Sequence, residues 1–174
     1  MSARGQIPEL TKICALLVCL GFSSGSAEAH AVDMRWRLFD QGTDALLAIA
    51  DSDEPGDAFG LPFLHCKQRS GLITIEGDAK ENIRAAMAEM IRSDQAPWIS
   101  VTPDTNPETT TIDLSYSFMD GWRYRFALQS SHNMFERFRR EGIIDFKFGK
   151  AQAHEEFQVG LDNVSKFLDL CAAR

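Results

Sequence analysis

His30, His65, His132 and His154 are the only imidazoles in the chain, and Cys14, Cys19, Cys66 and Cys171 the only thiols. A metal or catalytic centre needs several such groups within reach of one another, so their spacing decides which chemistry is open. His154-Glu155-Glu156-Phe157-Gln158 begins like the zinc-protease helix, in which two histidines four residues apart share one face. Gln158 stands where the second histidine must be, so a solvated charged segment is expected. Asp51, Asp53, Gly56 and Asp57 suggest a calcium loop. Counting from Asp51, however, the twelfth position is Pro62 instead of a bidentate glutamate, and Pro55 interrupts the ligand pattern. An acidic hairpin loop is the simpler expectation. From His30 onward there is no G-x-S-x-G elbow, no C-x-x-C pair, no phosphate loop and no dinucleotide fingerprint. No cofactor is implied, and an enzyme, an unrecognised hydrolase for instance, is the lesser alternative.

Residues 1–29 read as a cleavable secretory signal. Arg4 and Lys12 make a basic start, and Ile13 to Phe22 is an apolar run of about ten residues. Ala27-Glu28-Ala29 then sets small residues at the −3 and −1 positions of a signal-peptidase site. The run falls well short of the ~20 residues that cross a bilayer as a helix. Val18 ahead of Cys19 does not suit lipid attachment. The expected mature chain is a single domain over 30–174, periplasmic or secreted, with no membrane span. Cys66 and Cys171 are then the only thiols left. In an oxidising compartment they are expected to form a disulfide closing a loop of roughly 100 residues. Cleavage after Ala29 would also make His30 the new N-terminus, whose amine and imidazole nitrogens can chelate copper together with a second histidine. Ala31-Val32-Asp33 matches no such motif, so a copper-binding protein stays an alternative and no metal site is assigned.

The chain carries a formal net charge of −7. Removing the signal leaves it unchanged, because Arg4 and Lys12 depart with Glu9 and Glu28. Acidic domains are poor at neutralising phosphates, so nucleic acid is not an expected partner.

Hydrophobic periodicity supplies the elements that must position any site. Met34, Trp36 and Leu38 alternate with Arg35 and Arg37, a strand with one buried face. Ala45–Ala50, Gly60–Cys66 and Leu72–Glu76 read as three more strands of an antiparallel meander. Asp78 as N-cap with Glu81 three residues on predicts a helix, with Ile83, Met87, Met90 and Ile91 inward and an end near Ser93-Asp94. Trp98–Thr102 and Thr109–Phe118 read as strands, and Asp120-Gly121 as a hairpin turn into Trp122–Phe126. Ser131 is expected to cap a helix to Glu141 that stops at Gly142, with Met134, Phe135 and Phe138 inward. Ile143–Phe148 is another strand, and Leu161, Val164, Leu168 and Cys171 mark the inner stripe of a final helix. The expected fold is α+β: an antiparallel sheet or sandwich with two or three short helices and a C-terminal helix tied to the sheet by the disulfide.

The early strand with Trp36, the strand Leu61-Pro62-Phe63-Leu64-His65-Cys66, the helix–strand unit Phe138–Phe148 and the terminal Phe167-Leu168-Asp169-Leu170-Cys171 resemble small exported proteins of alphaproteobacteria. That resemblance implies a periplasmic address and brings no established activity and no catalytic residues. The surface singled out by the residues themselves is basic. Arg123 and Arg125 alternate with Trp122, Tyr124 and Phe126, as Arg35 and Arg37 do around Trp36. Were those strands neighbours, four arginines would share one face and suit the carboxylates or phosphates of a periplasmic or envelope partner. The bland alternative is a solvated face with cross-strand ion pairs. A non-enzymatic interaction module is the leading functional expectation.

Overall fold

The computed structural model describes residues 33–53, 60–94, 99–101, 112–118 and 121–173. The signal segment, His30 and most of the acidic loop after Asp53 lie outside the described residues. Four strands open the fold as the expected meander: β1 (Arg35–Asp40), β2 (Asp44–Ala50), β3 (Gly60–Lys67) and β4 (Leu72–Asp78). α1 (Glu81–Arg92) leads to β5 (Ile99–Val101), β6 (Asp113–Ser117) and β7 (Gly121–Gln129). α2 (Asn133–Glu141), β8 (Ile143–Phe148), β9 (Ala151–Glu156) and α3 (Leu161–Cys171) complete the chain. The fold is α+β. Six strands form one antiparallel sheet in the order β1-β2-β3-β4-β7-β6, and three form a second, β5-β8-β9.

Period-two alternation explains where the core sits. Register places Leu38, Leu47, Leu64, Ile75 and Phe126 in one row across five strands of the large sheet. Against this inner face pack α3, over β1 and β2, and the small sheet. Tyr124 and Phe126 of β7 meet Phe146 and Phe148 of β8 with ring centroids 4.9–6.1 Å apart, mostly edge to face. Such bulk leaves little room opposite. The residues registered against Phe146 and Phe148 are Ala153 and Ala151 of β9. Trp36 anchors the other end: its ring packs on Phe138 at 5.2 Å and its indole N–H donates to the Phe157 carbonyl at 2.9 Å.

Both thiols are bonded as expected. Cys66 and Cys171 form a disulfide across 105 residues, with Cα atoms 5.9 Å apart. Backbone bonds reinforce it: Arg69 N–H donates to the Leu170 carbonyl and Gly71 N–H to that of Cys171. No helix among the described residues is long and apolar enough to cross a membrane.

Three local expectations need correction. Asp78 does not cap α1. It ends β4, paired with Arg123 in the ladder, and Lys80 occupies the N-cap without a side-chain bond. Sheet pairing outcompeted a capping box that sequence spacing allowed. Ile91 is exposed instead of inward, because the helix turns only Ile83, Met87 and Met90 to the core. His132, not Ser131, caps α2: its Nδ1 accepts the Met134 N–H at 3.2 Å. The α2 stop is as expected, with Gly142 in the left-handed region at φ +69°.

Candidate functional site

The four arginines do share a face, but not as neighbours. Alternation against Trp36 and Tyr124 puts Arg35, Arg37, Arg123 and Arg125 all on the outer side of the large sheet. β2, β3 and β4 stand between the two pairs, a separation of about 19 Å at the usual strand spacing. Intrachain carboxylates already engage this face. Arg35 pairs with Asp33, Arg37 with Asp53 at 2.5 Å, and Arg125 with Glu76 and Asp113 at 3.7 and 3.5 Å. Arg35 in turn holds the Asp33 carboxyl below its ordinary range. Between the arginine pairs lies an apolar strip on the outer face, Phe39, Ala48 and Ala50 with Leu46 and Phe63 against them.

The three described histidines separate rather than gather. His65 sits beside Glu76 at 3.2 Å on the outer face. His132 is committed to its capping role. His154 lies on a strand, so the helical two-histidine geometry is not available there. Among the described residues, no three His, Cys, Asp or Glu side chains come together in a way that could hold a metal ion.

His154 is exposed, as its local sequence suggests, but it is not unpartnered. Asp145, on β8, is 6 % exposed and is the buried charged residue among those described. It is registered directly opposite His154, whose Nδ1 approaches its Oδ1 at 2.5 Å. Arg137 of α2 donates to the other oxygen at 2.8 Å and to Glu141 at 2.9 Å. The pairing is what makes a buried carboxylate tolerable. An aspartate behind Nδ1 is the arrangement that orients a general base. Here, however, Nε2 faces the Glu156 carboxylate at 3.6 Å, so both ring nitrogens look at anions and the protonated ring is favoured. The hydrogen bond to Asp145 is the main cause of a raised His154 pKa, with Glu156 adding to it. The proton that stabilises the fold is therefore fully held below pH 6.5 and is lost as pH rises through the higher native value. His154 is half exposed, so the effect is of surface-pair size, a few tenths to about 1 kcal/mol. Between pH 6 and 9 the wild type should lose this increment of unfolding free energy, and His154→Gln should not. Chemical denaturation at each pH measures it, and equal pH slopes for the two proteins would remove the assigned role.

Comparison with family models, curated proteins and solved structures finds no match. Functional inference therefore rests on this chain's own surfaces.

The feature sequence reading missed lies at the far edge of the large sheet. The inner faces of β6 and of the start of β7 are not fully covered by the second layer. Ala85, Ala88 and Ile91 of α1 line a groove of about 380 Å³ with Leu114 and Trp122. A recess along Lys80, Arg84, Tyr116 and Trp122 adjoins it. Trp122 and Tyr116 are a cross-strand pair with rings 5.3 Å apart. They remain 39 % and 59 % exposed, Ile91 65 %, and Phe118, two residues beyond Tyr116, 93 %. Glu81 and Arg84, paired with each other, edge the groove with charge. The signal available in sequence was Ile91, an apolar residue one position off the helix's inner stripe. A different, polar recess is framed by Ser130, Ser131, His132, Glu136 and Arg139. Its histidine accepts a backbone N–H through Nδ1, which makes it the Nε2–H tautomer and unsuited to remove a serine proton.

Proposed function

We propose that this chain is an exported periplasmic protein whose folded domain is a non-enzymatic interaction module, touching an envelope partner through the α1–β6–β7 groove. One observation carries the reading. Seven large hydrophobic side chains are exposed among the described residues, and Ile91, Tyr116, Phe118 and Trp122 gather at this one end. Exposed apolar clusters with a charged rim mark interaction sites, and tryptophan and tyrosine are their usual anchors. The Cys66–Cys171 bridge is compatible with an oxidising compartment and supports the address read from residues 1–29. The outer-face arginines, notably Arg123 and Arg125, are the competing contact surface.

Affinity capture of the exported protein tests both. Trp122→Ser and Tyr116→Ser should abolish recovery of a specific envelope protein while far-ultraviolet circular dichroism and cooperative thermal unfolding stay native-like. Arg123→Glu with Arg125→Glu should leave that recovery within about twofold, as expected of contacts outside an interface centre. The opposite pattern would move the contact to the outer face, and recovery unaffected by either pair would count against the module.

A further inference from the structure

Sheet edges are the natural templates for pairing with another strand, and folded proteins guard them with charge, cover or short length. The ends of the two sheets differ in this respect. β1 carries Arg35, Arg37 and Asp40, and the segment entering α3 lies against it: Trp36 N–H donates to the Val159 carbonyl, and Asn163 to that of Trp36. β9 presents His154, Glu155 and Glu156. Among the described residues β6 ends the large sheet, with the sequence Asp-Leu-Ser-Tyr-Ser. Its single charge, Asp113, is already met by Arg125 of β7. Nothing in its composition resists a neighbour.

The same five residues are complementary to themselves. Antiparallel pairing of two β6 strands about a two-fold axis through Ser115 overlaps the whole strand. On the outer side it sets Asp113 opposite Ser117 of the second copy and Ser115 opposite its own equivalent, so no like charges face each other. On the groove side it sets Leu114 opposite Tyr116 of the second copy, twice. Each Tyr116 already packs on Trp122, so the two apolar grooves become one continuous surface. From this we infer that β6 is a homodimerisation edge, the partner being a second copy of this chain joined strand to strand at Ser115. The inference rests on the groove being a contact surface and names one occupant for it. A five-residue ladder with four apolar side chains is small, so the dimer is weak, with a dissociation constant on the order of micromolar to hundreds of micromolar.

Sedimentation equilibrium of the protein purified after export, from about 5 to 500 µM, should show reversible dimerisation. Ser115→Glu and Ser115→Lys each place like charges at the two-fold axis and should weaken self-association at least about tenfold. Mixing the two variants in equal amounts should restore dimers, which only folded chains meeting at residue 115 can do. A wild type monomeric throughout, a dimer indifferent to both variants, or a mixture that stays monomeric would each overturn the inference. A monomer whose envelope partner is still lost on Trp122→Ser would leave the interaction-module reading intact, so the two failures are distinguishable.

Discussion

Replacing Cys66 and Cys171 together with serine should cost about 4 kcal/mol of unfolding free energy. The bridge spans 105 residues, and closing a loop of that length removes ~4–5 kcal/mol of chain entropy from the unfolded state. Both half-cystines are buried, so serine hydroxyls there also lose water without an assured partner. In urea the midpoint should fall by about 2 M and the slope should steepen, because the unlinked unfolded chain exposes more surface. The loss should be uneven. Cys171 ends α3, and the bonds from Arg69 and Gly71 to the Leu170 and Cys171 carbonyls hold that end against the β3–β4 turn. Amide exchange in the last turn of α3 should accelerate before exchange in β3 and β4. A midpoint within a few tenths of a molar of wild type would mean that packing alone holds α3 to the sheet.

Gly142→Ala is the second large effect, expected at about 3 kcal/mol or a melting temperature lower by about 10 °C. Gly142 ends α2 at φ +69°, where an L side chain is strained. Space is the larger problem. A Cβ would stand 2.0 Å from the Phe157 carbonyl oxygen, and that backbone is itself held, since Phe157 N–H donates to the Gly142 carbonyl. The same carbonyl accepts the Trp36 indole N–H, so a shift there disturbs the Trp36–Phe138 contact. Gly42 provides the control. Its φ is +83°, but nothing lies within 4 Å of its would-be Cβ. Gly42→Ala should therefore show the conformational cost alone, about 1 kcal/mol. Equal losses for the two variants would mean that the Phe157 backbone moves aside freely.

Much of the architecture was legible because it follows from short-range rules. Alternation gave away β1 and β7, where arginines alternate with Trp36 on one strand and with Tyr124 and Phe126 on the other. The α2 stop was legible because only glycine suits its left-handed cap. With residues 1–29 read as a signal, two thiols and a single pairing were left. β9 was not legible. Its inward residues are Ala151 and Ala153, small because Phe146 and Phe148 fill the space opposite, and a strand built on alanine carries little β signal of its own. The α1 start was misread because Asp78 satisfied a local capping pattern while the β4–β7 ladder claimed it.

The candidate surfaces divide the same way. Sequence by itself determined the residue types that alternate on each strand, the pairing of Cys66 with Cys171 and the helical stripes, since each depends on neighbours a few positions away or on simple counting. Only the tertiary structure decided which strands meet. It set three strands between Arg35 and Arg37 on one side and Arg123 and Arg125 on the other, and paired Arg35, Arg37 and Arg125 with intrachain carboxylates. It brought His154 and Arg137 onto Asp145, the buried carboxylate, so that one charged residue among many gained a specific partner. It also left Ile91, Tyr116 and Trp122 exposed at the β6 end of the sheet. The physical reason is that burial and charge pairing are sums over contacts between distant segments, and strand order, which sets those contacts, is not encoded in the period of any single strand.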